Sequence, residues 1–317
     1  MSLGPHSERS SMRILVVGAG ATGGYFGGRL AAAGRNVQFL VRPARADRLR
    51  ADGLRIVSPY GDLAIAPNVV TAGEITGPFD VILLTVKAFG LGAALEDIAP
   101  TVGPETMILP FLNGMRHLDL IAGRFDRRNL VGYVCKVATT LDPDGRILQL
   151  SPVQEIAYGE LDGTASDRMA RLDETMRDAG FSARLSTDIE REMWEKWTLL
   201  ATLAASTCLL RGSVGQILAA PGGRQTAFAL LDEVSATVSR VGRQPSERAL
   251  AAIRAMLGEE GSSQTSSLYR DVSIGAPIEA DQILGDLLAR ARAADVPTPL
   301  LTAAYAQLSI YEAARRS

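Results

Sequence analysis

Apolar positions along this chain fall into two regimes. Up to about residue 186 they come as short runs broken by glycine, proline and charged turns, and beyond it they recur at helical spacing. Residues 14–17 form an apolar run rich in β-branched side chains that ends in glycine, the pattern of a strand buried on both faces, and a small-residue helix is predicted to follow. Further strands are predicted at 37–41, 79–86 and 106–110. A hairpin is predicted at 54–57 and 63–66 around Pro59-Tyr60-Gly61-Asp62, a helix at 91–99, and a less regular β stretch at 130–140, 147–150 and 154–159. An amphipathic helix over 164–180 and an edge strand at 181–185 close this part. The remainder reads as helix throughout, at 188–210, 222–242, 246–257, 262–273, 279–294 and 299–315, with Pro297 and Pro299 parting the last two.

The first strand leads into glycines at G-x-G-x-x-G spacing, Gly18, Gly20 and Gly23. The first permits a tight turn, the second lets backbone approach a pyrophosphate, and the third lets helix pack on strand. Glycines alone would describe a turn in any α/β protein. Here strand, glycines, small-residue helix and second strand arrive in the order that a dinucleotide site requires, with the helix N-terminus facing the phosphates. The fold class is therefore α/β: a Rossmann-type dinucleotide-binding domain over 12–186, followed by an all-α domain over 187–317. Residues 1–11 precede Met12 without an apolar segment and read as a disordered leader.

The end of the second strand selects the cofactor. NAD sites place a carboxylate there for the ribose hydroxyl, whereas NADP sites place arginine for the 2′-phosphate. This strand ends Val41-Arg42-Pro43-Ala44-Arg45. Arg42 is the expected phosphate clamp, Arg45 a candidate helper, and NADP(H) the expected cofactor.

At 317 residues the chain exceeds the size at which one core stops growing, which agrees with two domains. A net charge of −2 offers no basic footprint for nucleic acid, and no apolar run reaches the roughly 18 residues of a membrane span. A small molecule is the expected partner. The two cysteines, Cys135 and Cys208, suit a reducing compartment, so a cytoplasmic location is expected. With His6 and His117 the only histidines, a zinc site or a histidine-based triad has almost no material.

Lysine is scarce and therefore informative. Of 33 basic side chains only Lys87, Lys136 and Lys196 are lysine. Arginine cannot release a proton in a protein, so a retained lysine is a candidate proton carrier. Lys87 follows a predicted strand at its carboxyl end, where open parallel sheets bind ligands, and Asn113 follows the next strand in the same way. Asn113-Gly114 also reads as an ordinary turn. Lys196 shares a helical face with Leu199, Leu200 and Leu203; burial there would lower its pKa and suit a general acid. On spacing alone a snorkelling lysine, or one paired with Glu192, is the commoner outcome. Glu279, opening a helix after Pro277, has the simple role of a first-turn carboxylate, and the serines at 262, 263, 266 and 267 that of capping groups.

Together these stretches resemble the ketopantoate reductase family of NADP-dependent 2-oxo-acid reductases, from Met12 to about Pro299. The resemblance rests on Gly-Ala-Gly-Ala-Thr-Gly-Gly at 18–24, Thr-Val-Lys-Ala at 85–88, Asn-Gly-Met at 113–115, Trp-Glu-Lys at 194–196, Ser-Ser-Leu-Tyr-Arg-Asp at 266–271 and Ile-Glu-Ala-Asp at 278–281. It implies that Gly18, Ala19, Gly20, Ala21, Thr22 and Gly23 hold the cofactor. It also implies Lys196 as proton donor, Lys87 and Asn113 on the cofactor, and Asn113 near the substrate. Ser267 would bind the substrate carboxylate, and Glu279 would hold cofactor or substrate at the catalytic centre. The activity implied is reduction of 2-dehydropantoate to pantoate, or of a related 2-oxo acid, as in pantothenate biosynthesis. Another two-domain hydroxyacid dehydrogenase and a non-catalytic NADP(H)-binding protein are the alternatives, and a homodimer is left open. The sequence departs from the family at Leu200 and Ala204, where two asparagines are usual, and after Glu279, where Ala-Asp-Gln-Ile-Leu-Gly replaces the more frequent Ile-Asp-Tyr-Ile-Asn-Gly. An apolar wall beside Lys196 is therefore expected to hold a hydroxylated substrate poorly, unless Gln264 refills the lost contacts.

Overall fold

A computed structural model describes residues 11–316, so that all but Ser11 of the expected leader lies outside the described residues. The chain forms two compact units, residues 11–86, 90–112 and 121–187 in the first and residues 87–89, 113–120 and 188–316 in the second.

In order, the first part of the chain contains β1 (Arg13–Val17), α1 (Ala21–Ala32), β2 (Asn36–Leu40), α2 (Pro43–Asp52), β3 (Leu54–Val57), β4 (Leu63–Ile65), β5 (Val69–Val70), β6 (Val81–Leu84), α3 (Leu91–Ile98), β7 (Met107–Pro110), α4 (Arg116–Arg124), β8 (Gly132–Leu141), β9 (Ile147–Gly159), α5 (Asp167–Met176) and β10 (Ser182–Leu185). Five strands form an all-parallel sheet in the order β5-β2-β1-β6-β7. Strands β1, β6 and β7 are buried almost throughout, which is why they read as unbroken apolar runs rather than alternating ones. The second sheet has the order β10-β9-β3-β4 with β8 on β9. The expected hairpin at 54–66 is the antiparallel pair β3–β4, and the two short runs at 147–150 and 154–159 fuse into the single strand β9.

Helix α1 packs against both sheets, and its glycines explain how. A Cβ on Gly27 would come within 2.8 Å of Val16 and 2.7 Å of Phe39 on the parallel sheet. One on Gly28 would come within 2.8 Å of Leu54, and one on Gly24 within 2.5 Å of Ile147, both on the second sheet. Any side chain at these positions would push a sheet away, with overpacking costs of about 1–3 kcal/mol apiece.

The later part contains α6 (Ile189–Leu210), α7 (Val214–Ala219), α8 (Gly223–Val241), α9 (Glu247–Leu257), α10 (Ser267–Ser273), a π-helical turn (Asp281–Gly285), α11 (Asp286–Ala293) and α12 (Pro299–Arg316). Helix α6 packs on α8 and α12, and Ala201, Ala205, Leu230, Leu231, Val234, Leu301 and Leu308 on these three helices are all buried. The Glu233 carboxylate of α8 accepts the Leu300 and Leu301 N–H groups at 3.0 and 2.9 Å, satisfying the start of α12. Among the described residues no helix is long and apolar enough to cross a membrane.

Two expectations need correction. The helix expected over 262–273 begins only at Ser267, because the Ser262 and Gln264 carbonyls accept the Gly215 and Val214 N–H groups and the Ser266 hydroxyl caps the helix that follows. Helices α2, α4 and α7 and the two-residue strand β5 had no counterpart in the periodicity reading. Each is short, and α7 is set by a capping box between Ser213 and Gln216 rather than by an apolar stripe.

Candidate active site

The glycine turn of the first unit is built as its spacing requires. Gly18 has φ +97°, a conformation that side chains rarely adopt, and its N–H donates to Leu40 O at 2.9 Å. Around Gly20 a Cβ would meet nothing within 4 Å, so the turn is open where a phosphate would approach. Gly20 caps α1 without any side-chain hydrogen bond, which leaves the first-turn N–H groups available to an anion. Gly23 is the opposite case, since its Cβ would lie 2.1 Å from Thr85 Oγ1 and 2.2 Å from Gly18 O. The Thr85 hydroxyl stands 2.8 Å from both Val17 O and Gly18 O, to which it can donate, so it pins the turn from β6. The sequence pattern did not single out this threonine; its place directly after a buried strand was the available signal. A dinucleotide thus fits this turn, judged by the open face at Gly20 and the unsatisfied helix start.

Arg42 is exposed at the end of β2, where it precedes the first residue of α2. Arg45 is only half-exposed, and its guanidinium donates to Ala19 O at 3.1 Å. Burial, and then the neighbouring Arg48, lower its pKa from the usual arginine value. Arg45 thereby braces the glycine turn itself.

In the second unit, stretches far apart in sequence converge on residues 279–283. One oxygen of Glu279 accepts the Ala88 N–H at 2.8 Å, and the other lies 3.4 Å from Lys87 Nζ. The Lys87 side chain is 58% exposed and that of Glu279 15%, so the ion pair itself adds little stability, within about 1 kcal/mol, and acts mainly to orient. Asp271 completes this charged group. Burial raises its pKa and the Glu279 charge adds to that, while Lys87 and Arg270 oppose.

Gln282, 5% exposed, donates from Nε2 to the Asn113 carbonyl at 3.0 Å and lies 3.3 Å from His117 Nδ1. Gly114, with φ +78°, presses on the same residue, since a Cβ there would stand 2.5 Å from Gln282 O. Asn113 is therefore held by its backbone, which leaves its half-buried side chain to other contacts. Ile283 O accepts the Trp197 indole N–H at 2.9 Å, which ties the same turn to the residue beside Lys196. Tyr305 braces the turn by donating to Asp281 and packing its ring 3.1 Å from where a Gly285 Cβ would be.

Lys196 is half-buried on α6, with Leu200 half-buried and Ala204 buried along the same face. His117 is 1% exposed; burial, and then the charge of Lys196, push its pKa down to about 3, so the ring is neutral at physiological pH. Ser267 is exposed at the first residue of α10, while its neighbour Ser266 is buried, capping Tyr269 N at 3.0 Å and sharing a 2.8 Å hydrogen bond with Thr207. Gln264 is exposed. Gln282 and His117 were not among the expected site residues. Gln282 lies three positions from Glu279 in a segment already unusual for the family, and that was the one signal for it.

Comparison with known proteins agrees with this architecture. Residues 14–163 match the family model described as Ketopantoate reductase PanE/ApbA, and residues 188–312 match Ketopantoate reductase PanE/ApbA C terminal. The chain is 37% identical over 311 residues to the uncharacterized oxidoreductase YkpB of Bacillus subtilis (strain 168), covering 95% of this chain and 99% of that one. It is 28% identical over 317 residues to the 2-dehydropantoate 2-reductase of Mesorhizobium japonicum, covering 93% and 96%. The crystal structure of 2-dehydropantoate 2-reductase from Geobacter metallireducens superposes with a TM-score of 0.82 at 27% identity, covering 94% of this chain and 99% of that one. The chain belongs to the ketopantoate reductase family, whose members are NAD(P)-dependent oxidoreductases acting on small 2-oxo acids.

Proposed function

We propose that this member of the ketopantoate reductase family uses NADPH to reduce a small 2-oxo acid to the 2-hydroxy acid, with Lys196 as the proton donor. The observation that carries the reading is the convergence on residues 279–283. Glu279 holds Lys87 and Ala88, Gln282 holds Asn113, and Ile283 holds the neighbour of Lys196, so three expected site residues from separate stretches share one support.

Gly18, Ala19, Gly20, Ala21, Thr22 and Gly23 would hold the pyrophosphate through backbone N–H groups and the positive end of α1. Arg42 would meet the 2′-phosphate, and no carboxylate at the end of β2 would repel it. Lys87 and Asn113 would contact the cofactor. NADPH, when bound, supplies the hydride that reduces the carbonyl carbon. The chain's own task is to orient that carbonyl and give its oxygen a proton. The Lys196 ammonium carries three N–H donors, and the His117 imidazole is neutral. Asn113 offers an amide to the substrate, Ser267 a hydroxyl to its carboxylate, and Glu279 keeps Lys87 in register. With Leu200 and Ala204 on the Lys196 face, an unhydroxylated branched 2-oxo acid is expected to be preferred over 2-dehydropantoate. Each buried methylene is worth roughly 0.8 kcal/mol there, and an unmet hydroxyl costs about 1–3 kcal/mol.

The test is kcat/KM with NADPH across a panel of 2-oxo acids, for the wild type and for Lys196→Ala. A general acid contributes about 10²–10⁴-fold, so a loss below about tenfold on the best substrate would remove Lys196 from the role. A hundredfold preference for 2-dehydropantoate would instead overturn the apolar-wall reading.

A further inference from the structure

The amide of Gln282 can be oriented without ambiguity. Asn113 O is a carbonyl and can only accept, so the Gln282 atom 3.0 Å away is the amide nitrogen. The same nitrogen lies 3.3 Å from His117 Nδ1, and an NH2 group cannot accept, so Nδ1 is the acceptor and carries no proton. A neutral imidazole that accepts at Nδ1 must bear its proton at Nε2. His117 is neutral because it is buried and stands within the field of Lys196. Its Nε2 is buried without a hydrogen-bond partner. The ring's single basic lone pair is thus occupied by Gln282.

Gln282 lies in the π-helical turn at Asp281–Gly285. Such turns recur at functional sites.

We propose that Gln282 is a positioning residue for this active site: it anchors the Asn113–Gly114 backbone and locks His117 as the Nε2–H tautomer. The kinetic part rests on the proposed reductase reading, in which Asn113 contacts cofactor and substrate. The tautomer part is independent of it. The effect of Gln282 passes through its contacts with Asn113 and His117.

The test uses the full chain and two substitutions of similar size. Gln282→Met removes the donor, and Gln282→Glu turns it into an acceptor. Only two histidines exist, His6 and His117, so long-range ¹H–¹⁵N spectra resolve the ring, with a His6→Gln variant to assign it. Wild type should show a single Nε2–H tautomer for His117. Gln282→Met should give a mixture, and Gln282→Glu the Nδ1–H form. On the best 2-oxo acid both variants should lose about 10- to 100-fold in kcat, less than the roughly 10²–10⁴-fold expected on removing a general acid outright, with NADPH affinity changed by less than about threefold. An Nδ1–H tautomer in the wild type overturns the lock. So does a Gln282→Met chain that keeps both the wild-type tautomer and the wild-type kcat. The spectra need no substrate, so a wild type inert toward every 2-oxo acid would refute the reductase reading and the kinetic role together, while the tautomer pattern would still decide the lock.

Discussion

Replacing Gly23 and Gly20 by alanine, one at a time, separates folding from cofactor binding. At Gly23 the added methyl would lie 2.1 Å from Thr85 Oγ1 and 2.2 Å from Gly18 O. The second of these is backbone in the turn itself and cannot swing aside. Forced overpacking costs about 1–3 kcal/mol, and displacing the Thr85 hydroxyl from Val17 O and Gly18 O costs about 1 more. Alanine recovers up to about 1 kcal/mol of helix propensity, which leaves a net loss of about 2 kcal/mol. For a chain of 317 residues, at about 2.1 cal/mol/K of unfolding entropy per residue, that lowers Tm by roughly 3 °C. At Gly20 nothing stands within 4 Å and the backbone angles, φ −80° and ψ −164°, suit alanine, so stability should change by less than about 0.5 kcal/mol. The methyl would instead occupy the approach of the pyrophosphate and weaken NADPH at least about tenfold, or 1.4 kcal/mol. Thermal melts with and without NADPH read both effects, because a ligand at 100 times its Kd stabilises by about 2.7 kcal/mol. Gly23→Ala should melt early without ligand; Gly20→Ala should melt normally and lose most of the NADPH shift. A Gly20→Ala chain with the full NADPH shift would refute the placement of the cofactor, and a Gly23→Ala chain as stable as wild type would refute the packing argument.

Three further outcomes are expected. Arg42→Ala should weaken NADPH by about 1.5–3 kcal/mol and leave NADH nearly unchanged in paired titrations, and equal weakening of both would count against a 2′-phosphate clamp. Glu279→Gln keeps an acceptor for the Ala88 N–H and loses only the charge facing Lys87, so its kcat/KM should fall less than that of Glu279→Ala, which loses both; equal losses would contradict the dual contact. His117 has its pKa lowered from 6.5 to about 3, so the unfolded chain binds its proton below pH 6.5 while the folded chain does so only near pH 3. Its contribution to stability is therefore complete above pH 6.5 and lost as pH falls toward 3, on the order of 2–3 kcal/mol by pH 4.5. Denaturant melts at pH 7 and 4.5 should show that slope in wild type and not in His117→Gln, and matching slopes would rule it out.

Much of this protein follows from local pattern. Buried strands, a glycine turn and a small-residue helix are properties of neighbouring residues, and spacing alone shows that Gly18, Gly20 and Gly23 can form a phosphate turn. The change to helical periodicity near residue 187 is local in the same sense. Arg42 is a candidate on the same local ground, since it stands a fixed distance along one strand. What the pattern could not supply depends on partners distant along the chain. Thr85 pins a turn 67 residues before it, Glu279 grips Ala88 across 191 positions, and Gln282 reaches Asn113 across 169. No periodicity encodes such pairings, because they exist only once the helices have packed. The serine cluster makes the same point: Ser266 and Ser267 are equivalent as letters, yet Thr207 and the first turn of α10 claim Ser266 and leave Ser267 exposed. The tautomer of His117 is the furthest removed from sequence, since a carbonyl at Asn113 orients the amide of Gln282, and that amide in turn decides which imidazole nitrogen holds the proton.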